Sequence, residues 1–206
     1  MYVPKHFAET DVANLHALVR AHSFATLVSL VDGELFATHV PLLLDAERGP
    51  FGTLVGHVAR ANPHVRAFDG RARGLAIFHG PHAYVSPRWY ATAPNVPTWN
   101  YVAVHAAGIL SATTEAGAVR SLLARSADTY EAGAASRWSL ASIPEAYANG
   151  MQKGVVAFEL AIDRIEGKRK LSQNKTPADR AGVVAALRSG GDADARAIAD
   201  AMEALA

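Results

Sequence analysis

The chain has 206 residues, half of them hydrophobic and 19% charged, with a formal net charge of +1. That length is enough to bury a proper core in one large domain, or in a domain with an appendage. The near-neutral balance gives no global attraction to nucleic acid or to an anionic membrane. Cysteine is absent, which excludes disulfides, thiolate metal sites and cysteine nucleophiles and fits a cytoplasmic protein.

The opening Met1-Tyr2-Val3-Pro4-Lys5-His6 has no apolar core of signal-peptide length, and no later run is long enough to span a bilayer. Thr10 is positioned to cap a first helix with Val12, Leu15, Leu18 and Val19 on one stripe. Phe24 to Val31 reads as a strand, Asp32-Gly33 as a hairpin turn and Leu35 to Leu44 as the partner strand. Pro41 cannot donate to a ladder, so it marks an edge, a bulge or a bend, and His39-Val40 beside it can leave backbone groups free for a ligand. Thr53 to Val58 is a third strand carrying His57, and it runs into the turn Arg60-Ala61-Asn62-Pro63. An arginine and free backbone N–H groups at such a turn suit an anion, although an exposed Arg and a turn-forming Asn-Pro give the same pattern.

Leu75 to His79 and Ala83 to Val85 read as a strand pair joined at Gly80-Pro81, closed by Ser86-Pro87-Arg88-Trp89-Tyr90. His79 and His82 flank that turn without a third ligand or carboxylate nearby, so no metal site is expected there. After a connecting loop to Pro97, Val96 to Gly108 alternates Trp99, Tyr101, Ala103 and His105 against Asn100, Val102 and Val104. This is the period of a strand with an aromatic face and an aliphatic face; by pattern alone it reads as a half-buried strand with Trp99 and Tyr101 in the core, and it also suits a flat ligand. A helix from Thr114 through Val119, Leu122 and Leu123 follows, then a short one from Pro144 and a late strand over Val155 to Ile165. About six strands with helices inserted, joined mostly as hairpins, give an α+β protein built on an antiparallel barrel.

The basic run Glu166 to Lys175 reads as a solvated loop, yet its tip offers Ser172, Gln173 and Asn174 in succession. Two short helices then meet at Ser189-Gly190-Gly191. The pair invites a helix-turn-helix reading, but Asp194, Asp200 and Glu203 repel phosphates, so a packed hairpin or dimer contact is preferred to DNA binding.

Four segments, in this order and spacing, resemble one family: Met1-Tyr2-Val3-Pro4 with His6-Phe7; Gly52 to Pro63; Val96-Pro97-Thr98-Trp99-Asn100-Tyr101 with His105; and Lys170-Leu171-Ser172-Gln173-Asn174. The family is that of the PaiB-type proteins, described as FMN-binding negative transcriptional regulators. The resemblance implies an antiparallel split β-barrel of the pyridoxamine-phosphate-oxidase and flavin-reductase kind, usually a homodimer with FMN near the subunit interface. It implies a split-barrel domain over residues 1–168, with the tip and a C-terminal helical hairpin, residues 169–206, packed on it or on the dimer partner. For FMN it points to His39, Val40, His57, Arg60, Ala61 and Asn62 near the phosphate or ring. Ser86, Trp99 and Asn100 would line the ring or ribityl chain, with Ser172, Gln173 and Asn174 closing over the site. Between Tyr90 and Val96 the family pattern is typically longer and often carries a lysine, which Ala91 to Asn95 lacks. Losing one charge-assisted hydrogen bond implies FMN binding weaker by roughly tenfold to a hundredfold. Relatives in fold also suggest a flavin-dependent reductase or oxidase, with His57 and His105 as proton donors, or a haem-binding protein using one of the nine histidines.

Overall fold

The computed structural model describes residues 1–113 and 117–205. In chain order the strands are β1 (Ala8–Glu9), β2 (Phe24–Val31), β3 (Glu34–Pro41), β4 (Leu43–Asp45), β5 (Thr53–Ala59), β6 (Asp69–Val85), β7 (Thr98–Ala112) and β8 (Val155–Lys170). The helices are α1 (Val12–Ala21), α2 (Ala118–Tyr130), α3 (Glu145–Lys153), α4 (Pro177–Ser189) and α5 (Ala193–Glu203). The strands form one antiparallel sheet in the order β3-β2-β6-β7-β8-β5-β4, with β1 on β8. The chain falls into two compact units, one of Met1–His22, Phe78–His105 and the residues from Glu166 onward, the other of Ser23–Ile77 and Ala106–Ile165.

In the second of these units, β2 and β3 form a hairpin paired from Phe24↔Pro41 to Val31↔Glu34. Its turn places both Asp32 (φ 53°) and Gly33 (φ 86°) in the left-handed region. That is the backbone of the tight turn whose twist matches the strands it joins, and Asp-Gly tolerates it best. Pro41 closes β3, which lies at the end of the sheet order, where a missing N–H costs no ladder bond. β5 pairs with β8 from Thr53↔Ala161 to Ala59↔Val155. Leu27, Leu54, Leu110, Phe158, Leu160 and Ile162 are essentially inaccessible and make the core of this unit.

In the first unit, the Asp11 carboxylate caps α1, accepting from the backbone N–H of Ala13 at 2.7 Å and of Asn14 at 3.3 Å. The cap is thus Asp11, one residue later than the expected Thr10, because the carboxylate satisfies two of the helix's orphan donors. Ala83, Val85, Tyr90 and Val102 from the strands and their connection pack against Val183, Leu187, Ile198, Ala199 and Met202 of α4 and α5. The C-terminal helices therefore form a hairpin whose apolar faces are spent on the sheet.

Two further expectations change. Gly80-Pro81 is not a hairpin turn: β6 runs unbroken from Asp69 to Val85. A Cβ on Gly80 would come within 3.2 Å of the Val102 carbonyl oxygen, so the glycine serves close strand approach, not reversal. The basic run is not a solvated loop, because β8 continues to Lys170. Gly167 and Lys168 pair with β1, and the Lys168 stem is buried with its ammonium against the rings of Tyr2 and Tyr101. Thr114, expected to open a helix, lies outside the described residues; α2 covers Ala118 onward and packs Leu122 on Val55 and Ala157.

Candidate functional site

One group of the expected residues gathers at the end of β5 in the second unit. Arg60 follows the strand and is exposed, and its guanidinium is oriented by its own chain: Nε donates to the Lys153 carbonyl at 2.7 Å and Nη2 to that of Val155 at 3.0 Å. Two of five N–H donors are used, so the rest of the fork faces outward in a fixed direction. Ala61 is exposed in the turn. Asn62 caps the following 3₁₀ turn, accepting from the His64 N–H at 2.9 Å, while its Nδ2 donates to Thr38 Oγ1 at 3.3 Å. Its side chain is therefore committed to shaping the turn.

Beneath that turn lies His64, which the sequence reading passed over. It is wholly buried, with Nε2 2.8 Å from Ser29 Oγ and Nδ1 2.9 Å from Thr38 Oγ1. Its ring stacks on Phe68, which stacks on Phe158. Burial pushes the His64 imidazole below the usual histidine range, and does the same to His57 on β5. On β3, His39 is exposed with Nδ1 3.1 Å from Thr26 Oγ1, and Val40 is buried.

The other group belongs to the first unit. Trp99 and Asn100 are neighbours on β7 and so face opposite sides of it. Trp99 is 52% exposed, close to Tyr84 and His82, in a groove that Trp89 also lines. Asn100 is fully buried, its Nδ2 donating to Ser172 Oγ at 3.0 Å and contacting Met202 Sδ at 3.4 Å. Ser172 is buried at φ 61°, a left-handed conformation that costs a residue with a Cβ on the order of 1–3 kcal/mol. The Asn100 pair and Gln173 hold it there: Gln173 accepts from the Leu171 N–H at 2.8 Å and donates to the Arg169 carbonyl. Ser86 is buried as the cap of a 3₁₀ turn, accepting from the N–H of Arg88.

Asn100, Ser172 and Asn174 border a cavity of about 190 Å³ with Phe7, Tyr90, Val96, Thr98, Lys170 and Lys175. The Lys170 ammonium donates to Thr98 Oγ1 and to the Trp99 carbonyl. That of Lys175 donates to Asn95 Oδ1 at 2.6 Å and lies 4.8 Å from the Tyr90 ring centre. Burial, with the neighbouring Lys168 adding to it, pushes the Lys170 ammonium down from the usual lysine range. The loop at Ala91 to Asn95 lacks a positive charge of its own, but Lys175 brings one to it. Both lysines escaped the sequence reading, which treated the run as solvent-facing; Lys168 and Lys170, two apart on a strand, were the signal.

Residues 1–164 match the family model described as "Putative FMN-binding domain". The chain is 33% identical over 203 residues to the protease synthase and sporulation protein PAI 2 of Bacillus subtilis, covering 98% of this chain and 97% of that one. In fold it is similar to the flavocytochrome Anf3 of Azotobacter vinelandii, with a TM-score of 0.64 at 14% identity over 82% of this chain and 72% of that one. It is also similar to the FAD and heme binding protein of Mycobacterium smegmatis, with a TM-score of 0.59 at 18% identity over 90% and 80%. The chain belongs to the PaiB-like family of FMN-binding proteins, its fold is the split barrel, and FMN is its cofactor. No helix among the described residues is long and apolar enough to cross a membrane.

Proposed function

We propose that this chain acts as a cytoplasmic, homodimeric regulator of the PaiB type that responds through bound FMN. The observation that carries the reading is near end-to-end similarity to PAI 2, whose name ties that protein to protease synthesis and sporulation. In this reading the phosphate is gripped by the free donors of Arg60 and the backbone around Ala61, in a turn shaped by Asn62 over the His64 network. His39, Val40 and His57 border that end. Of Ser86, Trp99 and Asn100 at the ring or ribityl end, the exposed Trp99 offers a face for stacking, while the buried Ser86 and Asn100 act by holding the 3₁₀ turn and Ser172 in place. Ser172, Gln173 and Asn174 close over the flavin, from the same or the partner subunit, as part of a segment 169–206 that packs on the 1–168 domain or on the dimer partner.

FMN supplies electron-transfer chemistry when bound, and the residues named bind and orient it. The buried face of α5 supports regulation through a protein or ligand contact rather than through that helix in a DNA groove. The test is light scattering with a flavin titration on the purified chain: a dimer binding one FMN per subunit is expected. The reading fails if the chain stays monomeric with FMN bound. It also fails if NAD(P)H oxidation with FMN far exceeds the free-flavin rate, which marks a reductase. A histidine-dependent Soret band with haemin would mark a haem protein.

A further inference from the structure

We propose that the cavity bordered by Lys170 and Lys175 is a binding site for a small oxyanion, a phosphate monoester or a short carboxylate. The site is built from residues of the first unit alone, and none of them belongs to the Arg60 turn.

Size sets the first limit. Pockets for drug-sized ligands run from roughly 300 to 1,000 Å³, and at about 190 Å³ this one is smaller. A water in the liquid takes about 30 Å³, so the space matches a handful of waters or one small organic acid.

Charge sets the sign of the ligand. Among the described residues no ion pair is formed by Lys170 or Lys175. Each ammonium has three N–H donors. Lys170 spends two on Thr98 and the Trp99 carbonyl, and Lys175 spends one on Asn95. Three donors on two cations are left over at one cavity, with Lys168 adding positive charge behind them. The buried carboxylate of Asp179 on α4 is committed elsewhere: it is 2% exposed and accepts from the N–H and hydroxyl of Thr92. Partly buried cations lacking a counter-charge are costly, and a bound anion removes that cost.

Rigidity argues that the wall is built for a ligand. Ser172 is held in its left-handed conformation by Asn100, itself fully buried, and Gln173 ties the turn to the Leu171 N–H and the Arg169 carbonyl. Phe7 and Val96 supply an apolar wall, so an anion with a short carbon tail suits the space better than a bare inorganic ion.

The test is calorimetric titration of the full chain with inorganic phosphate and with acetate, at constant ionic strength set by chloride, with and without saturating FMN. One saturable site per chain is expected. Lys175→Gln and Lys170→Gln should each weaken binding by about tenfold or more. Among the described residues the Lys175 side chain donates one hydrogen bond, to Asn95, against two for Lys170, so Lys175→Gln is the variant expected to keep its circular dichroism spectrum if Lys170→Gln unfolds. Anion binding that persists at saturating FMN is expected; loss of all anion binding once FMN is saturating overturns the proposal, because it makes the cavity part of the flavin site. Arg60→Ala separates this proposal from the proposed flavin grip, because it should lose FMN while keeping the lysine-dependent anion. No saturable binding by the folded chain, or binding unchanged in both lysine variants, overturns the proposal.

Discussion

Arg60 holds the carbonyls of Lys153 and Val155, and this anchoring fixes the aim of the rest of its guanidinium. On the proposed flavin grip, replacing Arg60 by Ala would remove one charge-assisted contact to the phosphate, and FMN affinity should fall roughly tenfold to a hundredfold; fluorescence titration measures it. His64 acts at one remove. Its two ring nitrogens face Ser29 and Thr38, so His64→Gln should cost about 1–3 kcal/mol in urea denaturation, as buried hydroxyls lose full pairing. The same residue gives a pH dependence. His22, His57 and His64 are each held below the ordinary histidine value of 6.5, by burial foremost, with Asp194 opposing it at His22. Between the lowered folded values and 6.5 the unfolded chain binds more protons, so stability is complete above 6.5 and is lost as pH falls below it. The thermal midpoint should drop on acidification through that window, less steeply in His64→Gln than in the parent chain.

At the scale of the element, the helical hairpin shows how close packing is written into single positions. A Cβ on Gly182 of α4 would overlap the Trp89 carbonyl oxygen, which is backbone and cannot swing aside. Gly182→Ala should destabilise by about 1–3 kcal/mol as α4 is forced off its seat. Gly190 ends the same helix at φ −78°, with only ordinary contacts for a Cβ. Gly190→Ala should be neutral or gain roughly 0.4–1 kcal/mol through the unfolded chain; paired denaturation curves separate the two. The Asp11 cap of α1 is worth about 1 kcal/mol against Ala by the same measurement.

The elements were mostly legible where chemistry is local. The Asp32-Gly33 turn, the β2 strand and the glycine break before α5 follow from φ limits and hydrogen-bond supply within a few residues. Gly80-Pro81 misled because a turn dipeptide and a close strand approach share one composition, and only the neighbouring Val102 distinguishes them. The extent of β8 was hidden because a lysine stem can lie buried on aromatic rings while its sequence reads as charge.

For the whole molecule, the family resemblance supplied the fold and cofactor, and the structure supplies the partners of the named residues. Asn100 and Ser172 are 72 residues apart, and no local pattern announces their hydrogen bond. The period of two correctly put Trp99 and Asn100 on different faces, but the pattern favours Trp99 as core, whereas Trp99 is 52% exposed and Asn100 is the buried one. The two lysines of the anion cavity were overlooked for the same reason, since their meaning lies in Asn95, Thr98 and Tyr90.

Quenching of flavin fluorescence by the purified chain measures FMN binding, on which the functional reading rests. A saturable titration ending near one FMN per chain, weakened at least tenfold by Arg60→Ala, is the expected result. Fluorescence that stays at the free-flavin level however much folded protein is added would contradict the account.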